Sequence, residues 1–358
     1  MRRSKKSTKI LIYTILMFLL ANFIQIKKIW IKGKVLREVF TDSPNCARYT
    51  MNCFHPLLQL TKMLIQSFNN SKAAFDYVFS EISNYQRGSS NESRENLEII
   101  KQSLLYSIIC NTAFTSLTQN QIFHNSNFKL EMPYITHMYK CREYLQEVFY
   151  FHHGLRFSHK NILDYVKSKD IIDIGAYIGD SLLVLHQYTN RRIFSYELSE
   201  KNRDIIRETM HLNHISPDKV VVIGKGISNF EGFSKISNEG GPGVSLNSDY
   251  NGSFVPISTI DAESQSFNMK IGFIKADVEG HALKVLHGAT NVIKNHRPVM
   301  DIAIYHSIQE LFGVRFFMES FENYCFEYHS SNINPFSIGE ISLFAFPCEL
   351  IHPNNHNF

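Results

Sequence analysis

Residues 171–197 read IIDIGAYIGDSLLVLHQYTNRRIFSYE, and this stretch decides the fold. Its β-branched apolar run at 171–174 predicts a strand. Gly175 and Gly179 then predict a tight loop in which the backbone comes close to a ligand. The apolar residues that follow predict a helix, and a second strand ends at Glu197. A strand, a glycine loop, a helix and another strand form the unit that holds nucleoside-type cofactors at the carboxyl ends of parallel strands.

Two carboxylates at successive strand ends indicate the kind of cofactor. Asp173 stands just before the first glycine, where a negative charge repels a phosphate and attracts a cation. Tyr177 occupies the place of the second glycine in the dinucleotide pattern G-x-G-x-x-G, which argues against NAD and FAD. Glu197 follows 24 residues after Asp173, where a carboxylate accepts hydrogen bonds from both ribose hydroxyls. S-adenosylmethionine carries an ammonium and a sulfonium group but no phosphate, so these charges favour it as the cofactor.

The residues after the loop are suited to a helix start. Asp180 and Ser181 fit there, one as the N-cap and the other in the first turn. The alternative for the whole stretch is an ordinary strand, turn and helix in which glycine serves packing alone. The two carboxylates disfavour that alternative, because such groups are rarely buried without a partner. The sequence therefore predicts these cofactor-binding residues: Asp173, Gly175, Tyr177, Gly179, Asp180 and Glu197.

A second cluster of ionisable residues follows two later strands. Residues 271–289 read IGFIKADVEGHALKVLHGA, which predicts a buried strand, then Asp277 and Glu279, then an amphipathic helix. A further apolar strand at 299–305 ends at His306. Such groups at adjacent strand ends face one crevice and suit proton transfer. The spacing fixes no third close metal ligand, so we expect these three to be catalytic residues without a metal. The alternatives are a hydrogen-bonded structural histidine and a structural helix cap.

Five blocks of sequence, in matching order and spacing, resemble the FkbM family of S-adenosylmethionine-dependent methyltransferases. They are IDIGAYIGDS (172–181), FSYELSEKN (194–202), VPISTIDA (255–262), FIKADVEGHALKVLHGA (273–289) and RPVMDIAIYHSIQEL (297–311). The resemblance covers residues 150–347. The chain departs from the family at His281-Ala282, where the family often has Ala-Glu at a helix start.

The resemblance has implications for fold and activity. It implies an α/β fold with the Rossmann-like methyltransferase sheet of seven strands, mainly parallel, with an antiparallel final pair. It also implies transfer of a methyl group to a hydroxyl, often on a sugar or a secondary metabolite. The residues that it carries over for the cofactor are Asp173, Gly175, Gly179 and Glu197. Those that it carries over for the active site are Asp277, Glu279 and His306.

The N-terminus differs in composition from the rest of the chain. Basic residues cluster within residues 1–9, and residues 10–26, ILIYTILMFLLANFIQI, are uncharged. At 1.5 Å per residue they would span about 25 Å as a helix, slightly short of a typical bilayer core. We therefore predict an uncleaved, single-pass membrane anchor, with a cleaved signal peptide or a buried amphipathic helix as alternatives. Basic residues flank the segment on both sides, so their bias assigns no orientation.

Charge and cysteine content limit the classes of function that the chain can have. The 358 residues carry a net charge of +4, and much of this excess lies in the N-terminal cluster, so no basic footprint for nucleic acid remains. The six cysteines form no C-x-x-C motif and are predicted to be scattered buried thiols rather than a disulfide framework. His152-His153 lacks a zinc-ligand frame and is assigned to the surface or to packing.

These patterns divide the chain into five parts. A basic tail (1–9), the anchor (10–26) and a stalk (27–45) precede a mainly helical region (46–149) and an FkbM-like domain (150–358). The glycine-rich residues 240–243 are predicted to form a mobile loop near the crevice.

The leading hypothesis is an O-methyltransferase acting on a hydroxyl of a glycan, glycolipid or related metabolite near a membrane. The alternative is a membrane-tethered binding or scaffold protein with a degenerate methyltransferase domain. A nicotinamide oxidoreductase is disfavoured because the glycine loop lacks G-x-G-x-x-G.

Overall fold

The computed structural model describes residues 63–68, 71–110, 146–149, 151–236, 253–330 and 341–351. The predicted anchor at 10–26, the stalk at 27–45 and the glycine-rich loop at 240–243 lie outside the described residues. Within these ranges, no helix has the length and apolar character needed to cross a membrane.

Ten strands lie in the described ranges, and seven of them form the central sheet. They are β1 (Asp170–Ile174), β2 (Ile193–Tyr196), β3 (Val220–Ile223), β4 (Gly226–Ile227), β5 (Gly232–Lys235), β6 (Phe254–Ser258), β7 (Ile271–Ala276), β8 (Val299–Ala303), β9 (Tyr324–Ser330) and β10 (Ile341–Pro347). The central sheet has the order β3-β2-β1-β7-β8-β10-β9. Strand β10 runs antiparallel to both of its neighbours, and the other pairs are parallel. The predicted sheet, mainly parallel with an antiparallel final pair, is confirmed.

Helices alternate with the strands of the central sheet. The described helices are α1 (Ser71–Tyr85), α2 (Asn91–Cys110), α3 (Gln146–Phe149), α4 (Lys160–Lys167), α5 (Asp180–Leu185), α6 (Glu200–Leu212), α7 (Ile260–Ser266), α8 (Ala282–His287), α9 (Thr290–His296) and α10 (Ile308–Met318). Every residue of β1, β7, β8 and β10 is buried. Burial along whole strands is typical of a sheet that is covered on both faces. The carboxyl ends of the parallel strands β1, β7 and β8 therefore provide the edge at which a site can form.

The small sheet β4-β6-β5 was not predicted. Its strands have two to five residues, which is too short to give a periodic pattern. The sequence block at 255–262 spans the end of β6 and the start of α7.

The predicted helical region covers one edge of the central sheet where it is described. Asn96 of α2 donates a hydrogen bond through Nδ2 to the carbonyl oxygen of Tyr328 in β9, at 2.7 Å. The hydroxyl of Ser93 accepts a hydrogen bond from the backbone N–H of Tyr328, also at 2.7 Å. β9 is the outermost strand, so helix side chains satisfy backbone groups that an open sheet edge would leave to solvent.

The prediction of scattered thiols is wrong for two cysteines. Cys325 lies in β9 and Cys348 directly follows β10, and the two form a disulfide with a Cα–Cα distance of 5.0 Å. Antiparallel pairing of β9 with β10 brings together residues that are 23 positions apart in the chain. Because strand pairing brings the two cysteines together, their spacing in the sequence does not predict the disulfide.

Candidate active site

The loop between β1 and α5 needs its glycines for two different reasons. Gly175 has φ +75°, and a Cβ at this position would lie 1.9 Å from the backbone oxygen of Asp277. Gly179 has φ +84°, but its nearest neighbours would lie 3.5 Å from an added Cβ. Gly175 thus brings the loop into contact with the end of β7, while Gly179 allows the left-handed turn from which α5 begins. Gly179 is also the N-cap of α5, so the prediction that Asp180 or Ser181 caps the helix is wrong.

Glu197 joins the end of β2 to the glycine loop. Its carboxylate accepts hydrogen bonds from the backbone N–H of Tyr177 at 2.9 Å and of Ser199 at 2.8 Å. Burial raises the pKa of Glu197, while the hydrogen bonds from Ser199, Tyr177 and Asn202 oppose this rise. A carboxylate offers about four acceptor sites, so Glu197 retains capacity for a ligand.

A buried lysine lies beneath the glycine loop, and sequence reasoning missed it. Lys275 Nζ lies 3.2 Å from Asp173 Oδ1 and donates a hydrogen bond to the carbonyl oxygen of Gly175 at 2.8 Å. Burial alone would lower the pKa of Lys275, but the carboxylates of Asp173, Asp277 and Asp180 outweigh burial and raise it. The structure therefore places Asp173, which is fully buried, as a support for the loop through Lys275. The signal in the sequence was a lysine inside the otherwise apolar strand β7.

The three predicted catalytic residues come together. His306 Nε2 lies 3.5 Å from Asp277 Oδ1 and 3.4 Å from Glu279 Oε2. On the other side of the ring, Nδ1 lies 3.6 Å from Glu310 Oε2. Burial lowers the pKa of His306, but Glu310, Asp277 and Glu279 outweigh it and raise this pKa to about 9. The imidazole thus holds a proton at neutral pH among three carboxylates.

Glu310 is a member of this group that sequence reasoning missed. It is 1% exposed, and its Oε1 accepts a hydrogen bond from the backbone N–H of Ala282 at the start of α8, at 2.7 Å. This contact occupies the helix start at which the chain departs from the family pattern, His281-Ala282. His306 precedes α10 and Glu310 lies in its first turn, so no helical spacing in the sequence indicated the pair.

His153 is buried in a polar network, so of the two predicted settings, the surface and packing, the surface is wrong. Its Nδ1 lies 3.0 Å from Asp301 Oδ2 in β8, and its Nε2 lies 3.0 Å from the hydroxyl of Ser181 in α5. The side chain therefore connects strand β8 to the helix that follows the glycine loop. Its position depends on how the segment before β1 folds onto the sheet, and no local pattern encodes that.

A cleft with a cavity volume of about 80 Å³ opens beside the glycine loop and the carboxyl ends of β7 and β8. Its lining includes Gly175, Tyr177, Asp180, Lys275, Asp277 and Asp301. Carboxylates outnumber cations among these residues, and such a lining attracts a positively charged ligand.

A comparison with family models agrees with this description. Residues 173–332 match the family model described as methyltransferase FkbM domain. Methyltransferase FkbM from Methylobacillus flagellatus KT is 16% identical with a TM-score of 0.49, and the match covers 75% of this chain and 58% of that one, less than two thirds.

Two further solved structures illustrate the range of similar proteins. The O-methyltransferase from Bacillus cereus in complex with SAH is 15% identical with a TM-score of 0.37, covering 64% of this chain and 89% of that one. An rRNA methylase from Streptococcus thermophilus is 8% identical with a TM-score of 0.35, and the match covers 53% of this chain and 93% of that one. No curated protein matches the chain significantly in sequence.

Proposed function

We propose that the chain, whose residues 173–332 match the FkbM methyltransferase family model, is an S-adenosylmethionine-dependent O-methyltransferase. The acceptor is a hydroxyl of a glycan, glycolipid or related metabolite. One observation carries the proposal: the backbone of Asp277 touches Gly175 of the cofactor loop, and the side chain of Asp277 lies 3.5 Å from His306. The predicted cofactor loop and the predicted catalytic group are therefore immediate neighbours.

The residues present fit S-adenosylmethionine. Gly175 holds the loop against Asp277, since a Cβ there would lie 1.9 Å from the backbone oxygen of Asp277. The cleft carries an excess of carboxylates, which suits a cofactor with two positive groups and no phosphate. In this proposal Glu197 accepts hydrogen bonds from the ribose hydroxyls, and Tyr177 and Asp180 border the cofactor. When bound, S-adenosylmethionine supplies a methyl group that its sulfonium already activates.

Replacing Glu197 with alanine is expected to weaken binding of S-adenosylhomocysteine at least about tenfold, which corresponds to about 1.4 kcal/mol. The substitution removes the ribose acceptor and also frees the backbone N–H groups of Tyr177 and Ser199. Calorimetric titration of the full chain measures the change. Glu200→Ala, an exposed position at the start of α6, is the matched control. Equal affinity in both variants would remove Glu197 from the cofactor site.

The chain's own residues remove the proton from the acceptor hydroxyl. We assign this step to His306, whose raised pKa makes it a strong base once it is deprotonated. Asp277 and Glu279, which flank Nε2, hold the imidazole and stabilise the positive charge that it gains. The cleft then positions the acceptor hydroxyl in line with the methyl group.

The rate of methyl transfer is expected to rise with pH. Because the pKa of His306 is raised to about 9, its basic form grows about tenfold per pH unit below that value. We therefore expect kcat/KM for the acceptor to increase from pH 7 and to level off above pH 9. His306→Ala should lower turnover about 100-fold or more, and the variant should still bind S-adenosylhomocysteine. His211→Ala, at an exposed position, should not lower turnover. If kcat/KM did not change with pH, removal of the acceptor proton would be assigned to Asp277 or Glu279 instead.

Product chemistry tests the reaction class. The full chain is incubated with methyl-labelled S-adenosylmethionine and a panel of sugars, glycolipids and hydroxylated metabolites. O-methylation of a hydroxyl gives an ether whose label survives alkaline hydrolysis, whereas a methyl ester loses it. Labelled ether supports the proposal. Cofactor binding without transfer to any acceptor favours the alternative, a membrane-tethered scaffold with a degenerate domain.

A hydroxyl-bearing small molecule or glycan and a membrane are the partners in this proposal. The membrane is reached through the anchor at residues 10–26, whose support is the uncharged apolar run between basic flanks. We do not include nucleic acid, because the excess of basic over acidic residues lies largely in the N-terminal tail.

A further inference from the structure

A second group of potential metal ligands lies in the cleft, separate from the His306 group. Glu147 comes from α3, His153 from the turn that follows and Asp301 from β8. All three are buried, with exposed fractions of 6%, 3% and 3%. One ligand atom from each lies within 4.8 Å of the other two. We propose that Glu147, His153 and Asp301 bind a first-row divalent metal ion.

The hydrogen bonds of His153 prepare one ring nitrogen as a ligand. Its Nε2 lies 3.0 Å from the hydroxyl of Ser181. In metal sites, a ligating histidine usually donates its other ring N–H to an oxygen, which fixes the tautomer. In the metal-bound form the proton lies on Nε2 and is directed to Ser181, which leaves the lone pair of Nδ1 for an ion beside Asp301 Oδ2, 3.0 Å away. Without an ion, Nδ1–H donates to Asp301 instead.

Asp301 supplies a second, independent observation. Its Oδ1 is buried and accepts no hydrogen bond from any residue in the described ranges. A buried carboxylate oxygen without a partner is costly and calls for a compensating cation. Glu147 is oriented toward the cluster by the hydroxyl of Ser342 in β10, which donates to its Oε1 at 3.2 Å. The ligands are thus held by outer hydrogen bonds, as in metal sites generally.

The spacing of the three atoms suits a single ion. An ion at the centre of a triangle with sides of at most 4.8 Å lies at most about 2.8 Å from each atom, so inward shifts of about 0.7 Å give ordinary ligand distances. Nδ1 and Asp301 Oδ2, 3.0 Å apart, would then be neighbouring ligands at an angle of about 90°. One imidazole with two carboxylates suits Mn²⁺, Fe²⁺ or Zn²⁺ better than Mg²⁺, which prefers oxygen alone.

The site opens onto the cleft. Glu147, His153 and Asp301 line it together with Gly175 and Asp277. Three protein ligands leave open coordination positions, as in catalytic metal sites. An ion here would offer a position for an acceptor hydroxyl and lower its pKa. That catalytic use rests on the proposed function, whereas metal binding does not.

Calorimetry on the full chain tests the site without any methyl donor. After treatment with a chelator, the protein is titrated with Zn²⁺ and with Mn²⁺ in two buffers of different ionisation enthalpy. We expect one ion per chain. Asp301→Asn and Glu147→Gln should each weaken binding about 10-fold or more. Asp277→Asn, which changes a carboxylate of the same cleft outside the cluster, should retain the affinity.

Zn K-edge absorption of the wild-type chain provides a test that needs no variant. The proposed site predicts nitrogen and oxygen ligands only. Sulfur ligands would place the ion at cysteines elsewhere and overturn the assignment. The absence of binding to the wild-type chain, or unchanged affinity in both ligand variants, would overturn it as well. Because no cofactor is present, these outcomes are independent of whether the protein transfers methyl groups.

Discussion

Replacing Gly175 with alanine is expected to abolish binding of S-adenosylhomocysteine and to lower the free energy of unfolding by about 3 kcal/mol. The left-handed backbone at φ +75° costs a non-glycine residue about 1–2 kcal/mol. The added Cβ would also lie 1.9 Å from the backbone oxygen of Asp277, and relieving such overlap costs about 1–3 kcal/mol more. Moving Asp277 separates the cofactor loop from the catalytic group. Urea unfolding and calorimetric titration measure the two effects.

Gly179 provides the matched control for this experiment. Its φ of +84° is also left-handed, but its nearest neighbours would lie 3.5 Å from an added Cβ. Gly179→Ala should therefore lose only the conformational part, about 1–2 kcal/mol. If both alanine variants lost the same stability and the same affinity, the contact between the loop and Asp277 would have no special importance.

Replacing Lys275 with methionine should destabilise the protein by about 3–5 kcal/mol, because it leaves buried carboxylates without their cation. Lys275 is 5% exposed and forms an ion pair with Asp173, whose exposure is 0%. The substitution also removes the hydrogen bond from Lys275 to the carbonyl oxygen of Gly175, so the glycine loop should be disturbed as well. Denaturant unfolding of the variant measures the loss.

Two further variants separate charge from packing at this position. Adding Asp173→Asn to Lys275→Met should recover part of the lost stability, since it removes one of the uncompensated charges. Lys270→Met, an exposed position just before β7, should have little effect. A Lys275→Met protein with wild-type stability would contradict the assignment of Lys275 as the cation beneath the loop.

The parts of the site that lie on strong periodic elements could be predicted from the sequence. Apolar strands ending at Asp173, Glu197 and Asp277 had to align their carboxyl ends once the sheet was parallel. The same reasoning predicted that His306 lies near Asp277 and Glu279, and the structure has these contacts. The glycine loop followed from its spacing and from the need for left-handed backbone.

The parts that depend on long-range packing could not be predicted. Lys275 looked like an irregularity in an apolar strand, because its carboxylate partners come from other elements. His153 reaches Asp301 and Ser181 only after the segment before β1 folds onto the sheet. The Cys325–Cys348 disulfide depends on the register of the β9–β10 pair. In each case, tertiary contact supplies the partner.

The most direct test of the account is a calorimetric titration of the full chain with S-adenosylhomocysteine, with NADH in a parallel titration. The acidic cleft and the loop without G-x-G-x-x-G predict saturable, one-to-one, micromolar binding of S-adenosylhomocysteine and no binding of NADH. A folded protein that bound NADH instead, or that bound neither ligand, would contradict the claim that this cleft holds S-adenosylmethionine.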